Sequence, residues 1–526
     1  MKKRLLVFVA FLMAAQLGFS GGLVLNNNQS TAWSRMMIRN ASTDIDAVFF
    51  NPAGLVNLND GFHFSVNNQS IWQTQMINST FDLLNDGNYE GKISAPIFPS
   101  IYGAWKKGKL TVSVAFNPIG GGGGAEFTKG LPMMEIPFSN LKSSFGGYNM
   151  DMSFQGSSVY YGIQAGLTYE INEYVSVFAG ARYVMAHNTY EGHIKDVTVP
   201  TTNGPVSAET VLAGLSQQST GAANGMQPII DGGGSDYTLA QLEGAGMIDA
   251  ATRAQLEGGL LASGIPQVQI DAMNAGQIQG AYAYSGAVLN SKSQLMADQE
   301  ADITQTGNGI TPILGANVSL MENKLNFGIK YEFITKMDLT NEVKDSKGFL
   351  IGVDPLTGDK DYMFVDGDKV NADMPAHLSL GAQYQIIDPL KVHVGFMTYF
   401  DKGAGWAKDE AGNELIDKNF MEYGLGLEYN ITEKFLVSAG GVFARTGVKQ
   451  EYQSNLSFSL STNTYGGGFA YHINDMLSAQ IGAYYVNYID QTYNENYQVD
   501  ADNVIPYTTT YDKETFGLSI GIDIHL

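Results

Sequence analysis

The sequence predicts an all-β fold, a transmembrane antiparallel β-barrel of about 14 strands, with an N-terminal hatch plugging the lumen and a long, partly helical extracellular loop. Three observations carry this. Side chains alternate between apolar and small or polar over many separate segments. No long apolar run follows the N-terminus. Tight connections alternate with long ones along the chain.

The alternation is cleanest at the C-terminus. From Phe516 to Leu526 every even position is apolar, and every odd position is small or polar. Successive side chains of a strand face opposite sides, so such a segment has one face for lipid and one for a lumen. Val159, Tyr161, Ile163, Ala165 and Leu167 repeat the pattern, as do Leu325, Phe327, Ile329, Tyr331 and Phe333, and Met421, Tyr423, Leu425, Leu427 and Tyr429. By this template the strands are expected near 61–76, 97–107, 109–117, 152–170, 174–190, 308–321, 324–340, 373–387, 389–401, 419–430, 433–448, 460–472, 476–490 and 511–526. The even count returns both ends of the barrel to one side. Lys107-Gly108, Ile171-Asn172-Glu173, Met321-Glu322-Asn323, Asp388-Pro389, Ile431-Thr432-Glu433 and Ile473-Asn474-Asp475 are the tight turns, expected on the periplasmic side.

Composition agrees. The 526 residues carry a net charge of −22, and their mean hydropathy is near zero. A helical membrane protein would be far more apolar, because each span needs roughly 20 apolar residues in a row. The acidic balance argues against a nucleic-acid partner, which would require a basic patch. Cysteine is absent, which removes disulfides, thiolate metal sites and a cysteine nucleophile. No HExxH, GxSxG or phosphate-binding glycine motif occurs, and Gly121 to Gly124 lack the Lys-Ser/Thr that would follow in a phosphate loop. No catalytic residue, cofactor or metal is therefore expected, and the chain reads as no enzyme. His377, His393 and His525 fall on the inward parity, whereas a wall-mounted lipase would need an outward histidine.

Four regions follow. Lys2, Lys3 and Arg4, the apolar stretch Leu5 to Leu17 and the small residues before Gly21 make 1–20 a signal peptide. Residues 21–60 do not alternate; Pro52 and Gly54 force an irregular path, and Val48, Phe49, Phe50 and Leu55 would be costly to leave in water. That favours a hatch folded into the lumen. The barrel spans 61–526. Within it, 191–307 is a long extracellular insertion with two helix-like stretches, one capped by Asp236 or Thr238 and one by Asp249. Its stripe Leu256, Leu260 and Leu261 either packs on the loop's own body or offers an apolar surface at the barrel mouth.

The hatch segment Phe50-Asn51-Pro52-Ala53-Gly54-Leu55, preceded by Asp44 and Asp46, resembles the hatch motif of the long-chain fatty acid and hydrophobic-compound transporters of the outer membrane, the FadL-like family. Asn117-Pro118-Ile119-Gly120 with Glu126-Phe127, Met374 to Gly381 and Tyr423 to Tyr429 resemble further stretches of it. Where the family's hatch begins with small residues, this chain has Arg35-Met36-Met37-Ile38-Arg39. The resemblance implies an outer-membrane channel taking up hydrophobic molecules such as long-chain fatty acids. It implies hatch movement, and sideways release into the membrane at a kinked third strand. Its partners would be the ligand, outer-membrane lipids and the barrel assembly machinery. Asn51, Pro52, Ala53 and Gly54 are then the hatch motif, and Asn117, Pro118 and Gly120 the lateral-opening region, a stretch that also reads as a flexible extracellular loop. Arg182 and Lys330 face inward and are candidates for ligand contact, with Glu170, Glu332 and Glu422 as alternative structural partners. A general porin or a surface adhesin is the alternative reading. Asp523 and His525 are expected to anchor the hatch near the periplasmic rim.

Overall fold

The computed structural model describes residues 23–405, 408, 409, 411–499 and 503–526. The expected signal peptide lies outside them. Fourteen barrel strands follow in chain order: β1 Gly61–Ser79, β2 Asn88–Lys107, β3 Leu110–Phe127, β4 Asn149–Glu170, β5 Val175–Thr201, β6 Gln299–Leu320, β7 Leu325–Glu332 resuming at Asp338–Gly348, β8 Lys369–Asn371 resuming at His377–Ile387, β9 Leu390–Tyr399, β10 Phe420–Asn430, β11 Phe435–Arg445, β12 Thr462–Asn474, β13 Leu477–Tyr488 resuming at Gln491–Gln498, and β14 Val504–His525. Each pairs antiparallel with the next. β14 then pairs with β1, from His63 opposite His525 to Ser79 opposite Thr509, so the sheet closes on itself.

Side-chain direction follows the alternation. On β14, Phe516, Leu518, Ile520 and Ile522 are exposed on the outer wall, while Thr515 and Ser519 are buried inside. Aromatic rings mark both edges of the outer band. Tyr169, Tyr174, Tyr384, Tyr429 and Tyr471 lie near the tight turns, and Trp72, Tyr485 and Phe516 lie towards the other end. A closed wall with so much outward apolar surface is stable only in lipid, where every backbone group must find its partner within the sheet. No helix among the described residues is long and apolar enough to cross a membrane.

The structure corrects several boundaries, among them the last strand, which starts at Val504 rather than near 511. The second strand starts at Asn88 rather than near 97, and the third runs to Phe127 rather than stopping near 117. The insertion is also shorter than 191–307. β5 continues to Thr201 and β6 begins at Gln299, with Ile194 opposite Gln299. Beyond the lipid, outward positions such as Glu191, His193 and Lys195 are polar, so the strand persists after its apolar signal has ended.

Between β5 and β6 the helices Ala208–Ile229, Leu239–Gly244, Ala250–Ala262, Gln267–Ala272 and Ala275–Leu295 form a small bundle. Thr238 and Asp249 cap the second and third of these. Leu256 and Leu260 are buried in its own core with Met226, Leu242, Ile278 and Tyr282, while Leu261 is exposed. The stripe therefore mostly packs on the loop's own body.

Residues 23–60 fill the lumen. A helix Thr31–Met36, N-capped by Ser30, is followed by Ala47–Phe50 and the 3-10 turn Pro52–Asn57. Nearly all of their side chains are buried.

Candidate functional site

The hatch is held by charged side chains of its own and of the wall. Arg39 is fully buried. Its Nε donates to Asp46 Oδ2 at 2.8 Å, and its Nη2 donates to Asp46 Oδ1 at 2.7 Å, Ser42 Oγ at 2.7 Å and Asp44 Oδ2 at 2.5 Å. This ties the hatch to itself. Arg35 ties it to the wall, donating to Glu428 Oε1 at 2.8 Å, Ser438 Oγ at 2.6 Å and Gln480 Oε1 at 3.0 Å. Of the two arginines that depart from the small-residue pattern, Arg39 thus braces the hatch internally and Arg35 joins it to the wall. A guanidinium offers several fixed donors and is suited to such buried clusters.

Asn51, Pro52, Ala53 and Gly54 are all buried against the wall. Asn51 Nδ2 donates to Ser42 O at 3.0 Å and to Asn317 Oδ1 at 2.9 Å. The Pro52 carbonyl accepts from Thr168 Oγ1 at 2.7 Å, and the Ala53 carbonyl from Ser176 Oγ at 2.6 Å. A Cβ at Gly54 would meet Ser42 O at 2.5 Å, so the turn leaves no room for a side chain. The motif packs two strands of chain and a wall into one contact.

Arg182 and Lys330 are brought together, but on a carboxylate and beneath the hatch. Arg182 Nη1 lies 2.6 Å from Glu332 Oε2, and Lys330 Nζ lies 2.7 Å from Glu332 Oε1. The Phe49 ring sits 5.1 Å from the Arg182 guanidinium and 4.7 Å from Lys330 Nζ, and Lys330 also donates to the Phe49 carbonyl at 2.7 Å. Of the three acidic partners considered, Glu332 is the one used. Glu422 instead meets Asn27 at 2.6 Å and Tyr399 at 3.0 Å.

The expectation that Asp523 and His525 anchor the hatch is not met. Asp523 accepts from Ser65 Oγ at 2.6 Å and bonds Gln480, and His525 Nδ1 lies 2.7 Å from His63 Nδ1; all of these are wall residues. Two outward histidines do exist among the described residues, the exposed His187 and, six positions on along the same face of β5, His193. His193 Nδ1 is 3.0 Å from Ser153 Oγ on the neighbouring strand, and Asp151 Oδ2 is 3.2 Å from its other nitrogen. That nitrogen makes no hydrogen bond, and Asp151 is two-thirds exposed, so the ring is not held as a triad base would be.

The wall itself has an irregular seam. β2 pairs with β3 from Lys107 to Ile101 and again from Ile93 to Gly91, but not between. Pro96 and Pro99 lie in that stretch and have no N–H to give a ladder. β3 bulges away from regular pairing with β4 at Pro118/Gly120 and at Gly121/Gly123. Gly121 has φ of +71°, which suits glycine. The freed inner edge of β3 is met by the hatch. Leu25 bridges to Gly120, Asn26 N–H donates to Ile119 O at 2.8 Å, Asn26 Nδ2 donates to Gly121 O at 2.5 Å, and Asn117 Nδ2 donates to Gln29 Oε1 at 2.9 Å. Asn117, Pro118 and Gly120 therefore belong to a kinked strand and not to a flexible loop.

On the lipid side, Asn68 and Ser70 of β1 point outward among apolar neighbours. Asn68 Oδ1 accepts from Phe98 N–H at 3.1 Å, and Pro96 O accepts from Asn68 Nδ2 at 3.2 Å and from Ser70 Oγ at 2.9 Å. They satisfy backbone that β3 no longer pairs. Sequence reading missed this half of the seam, although two prolines three residues apart in a strand were the available signal.

The same architecture occurs in solved structures. A FadL homologue from Pseudomonas aeruginosa superposes with a TM-score of 0.55 at 12% identity, covering 96% of this chain and 100% of that one. The toluene transporter TodX from Pseudomonas putida gives 0.51 at 12% identity, with 96% and 100% covered. At that identity the likeness establishes the fold alone, a barrel of the same architecture as those structures. No protein-family model matches the chain, and no curated protein sequence does.

Proposed function

We propose that this protein is an outer-membrane channel, not an enzyme, that takes up hydrophobic small molecules such as long-chain fatty acids or aromatic hydrocarbons. The molecule enters from the extracellular mouth, the hatch shifts, and the molecule leaves sideways into the membrane between β2 and β3. One observation carries the reading: from Asn117 to Gly124 β3 has no ladder to β2, and in the middle of that gap, at Ile119 and Gly120, its backbone is met by the hatch instead. Withdrawing residues 25–29 would leave a length of wall with no ladder across it. An apolar molecule crosses such a seam without meeting the charged outer surface, whereas a polar solute gains nothing from it. The names of the structural relatives, a FadL homologue and a toluene transporter, are in keeping with such cargo.

A general porin requires an open polar lumen, and here the lumen is filled by buried side chains from Leu23 to Leu55. The test is to fix the hatch. Asn40 Nδ2 donates to Ser379 Oγ of β8 at 2.9 Å, so cysteines at both positions would tie the hatch to the wall. The oxidised Asn40→Cys/Ser379→Cys protein is expected to take up no radiolabelled palmitate or toluene in cells, and reduction is expected to restore uptake. Unchanged uptake in the oxidised form would refute hatch movement.

A further inference from the structure

Five cations among the described residues have fully or almost fully buried side chains. Arg35, Arg39, Arg182 and Lys330 are each paired with a carboxylate. Lys513 is not. It points inward from β14 and is 2% exposed. Its Nζ donates to the Phe458 carbonyl at 2.8 Å and lies 4.0 Å from the centre of the Phe458 ring. Among the described residues no carboxylate pairs with this ammonium, the Asp512 carboxylate accepting only from the Lys513 backbone N–H. A buried ammonium without a counter-charge is expensive, and a cation–π contact with one carbonyl replaces its lost hydration only in part.

The surroundings say what would complete it. Lys513 is level with Gln75, Gly91, Phe127 and Phe154 on the next four strands. Phe127, Phe154, Ala125, Leu456 and Phe458 line the space beside it. The upper lip of the seam, where Ile93 meets Ala125, is two residues below, roughly 7 Å along the strands. A positive charge set beside Phe127, Phe154 and Ala125, two residues from the seam, suits a molecule with an anionic head and an apolar tail.

Phe458 belongs to the connection between β11 and β12, which folds down into the lumen. Tyr452, Phe458 and Leu460 are buried there, and Asn455 Nδ2 donates to Tyr511 Oη at 3.1 Å. The cavity left beside Lys513 is about 10 Å³, room for at most one water. A ligand therefore reaches the lysine only by displacing this connection.

We propose that Lys513 receives the anionic head group of an amphipathic ligand, with the segment carrying Phe458 as the inner gate that the head group displaces. The inference rests on the uptake reading and makes it specific: the favoured cargo is a lipophilic acid, and neutral hydrocarbons pass without this contact.

The test is equilibrium binding of palmitate and of hexadecanol, matched in chain length, to the full purified barrel and its Lys513→Met and Lys513→Arg variants. A charge-assisted hydrogen bond supports about a ten-fold preference. Wild type is expected to favour palmitate by that factor. Lys513→Met should lose the preference with hexadecanol binding unchanged, and Lys513→Arg should keep it. No preference in wild type, or palmitate binding unaltered by Lys513→Met, overturns the proposal while leaving hydrophobic uptake standing. Equal loss of both ligands in Lys513→Met, with normal palmitate binding by Lys513→Arg absent, assigns the lysine to folding and also overturns it. Failure of wild type to bind either ligand overturns the uptake reading itself.

Discussion

Phe49 and Lys330 hold each other twice, with the Phe49 carbonyl accepting from the Lys330 ammonium at 2.7 Å and its ring lying 4.7 Å from the same nitrogen. Glu332 underlies both Lys330 and Arg182, so two buried cations and one hatch aromatic depend on a single carboxylate. Phe49→Leu removes the ring contacts but keeps the carbonyl, and should weaken the hatch by about 0.5–2 kcal/mol. Glu332→Gln leaves two cations uncompensated and should cost about 3–5 kcal/mol. Single-channel recording in planar bilayers checks the order: open events should become more frequent in Phe49→Leu, and more frequent again in Glu332→Gln. A silent Glu332→Gln channel of normal stability would separate this cluster from the hatch.

Gly120 tests the joint between hatch and seam. A Cβ there would meet Val24 O at 2.6 Å, which is backbone and does not give way easily. Gly120→Val should therefore break the Leu25 bridge and free the first described residues of the hatch, while β3 stays paired with β4 through its neighbours. Limited proteolysis from the periplasmic side should cut the variant ahead of Ser30 under conditions that leave wild type whole. Equal resistance of both proteins would mean that the bridge contributes little to holding the hatch.

The parts of this architecture that were legible in the sequence are those that lipid dictates. Alternation holds where one face must be apolar, so all fourteen strands could be found, and the strands lost their signal where they left the membrane, as β5 does after Glu191. Inward parity placed Arg182, Lys330 and Glu332 in the lumen, but their convergence joins positions 150 residues apart and depends on the pairing order around the barrel. The seam was half visible: Asn117-Pro118 announced it on β3, while on β2 Pro96 lay just before the expected second strand and Pro99 just inside its start. Lys513 stood on the inward parity of β14 throughout. What singles it out among the described residues, an ammonium with no paired carboxylate, is a property of the packed lumen and not of its neighbours in sequence.

Asp401 gives an extracellular loop a pH dependence. It lies just beyond β9, its Oδ2 accepts from Phe420 N–H at 3.1 Å, and its Oδ1 has no partner. Burial, opposed by the Phe420 hydrogen bond, pushes its carboxyl from an ordinary 3.8 up to about 7. Folding therefore keeps the proton over a range in which the unfolded chain has lost it. The associated stability is full below pH 3.8, declines as pH rises, and is gone once pH passes about 7. Hydrogen exchange of the segment from Asp401 to Phe420 should be slower at about pH 5 than at about pH 8, after correction for the intrinsic pH dependence of exchange, and Asp401→Asn should abolish the difference. A difference that survives in Asp401→Asn would place the titrating group elsewhere.

Asn68 is the most informative residue on the outer wall, because a polar side chain facing lipid is tolerated only for what it bonds. Its amide satisfies Phe98 N–H and shares Pro96 O with Ser70. Asn68→Leu improves the apolar character of the lipid face, and a simple hydropathy argument expects it to stabilise the barrel. It also removes the Asn68 acceptor from the Phe98 N–H at the lipid face, where a lost hydrogen bond costs about 1–3 kcal/mol. The second effect is the larger, since one added apolar side chain gains nothing in lipid comparable to what it gains in a protein core. Ser70→Ala should cost less, because Pro96 O keeps its bond from Asn68. Heat-dependent gel mobility of the folded barrel reads the order directly: wild type most resistant, then Ser70→Ala, then Asn68→Leu. An Asn68→Leu barrel as resistant as wild type would mean that β2 finds another partner for Phe98, and so that the seam closes more readily than its two prolines suggest.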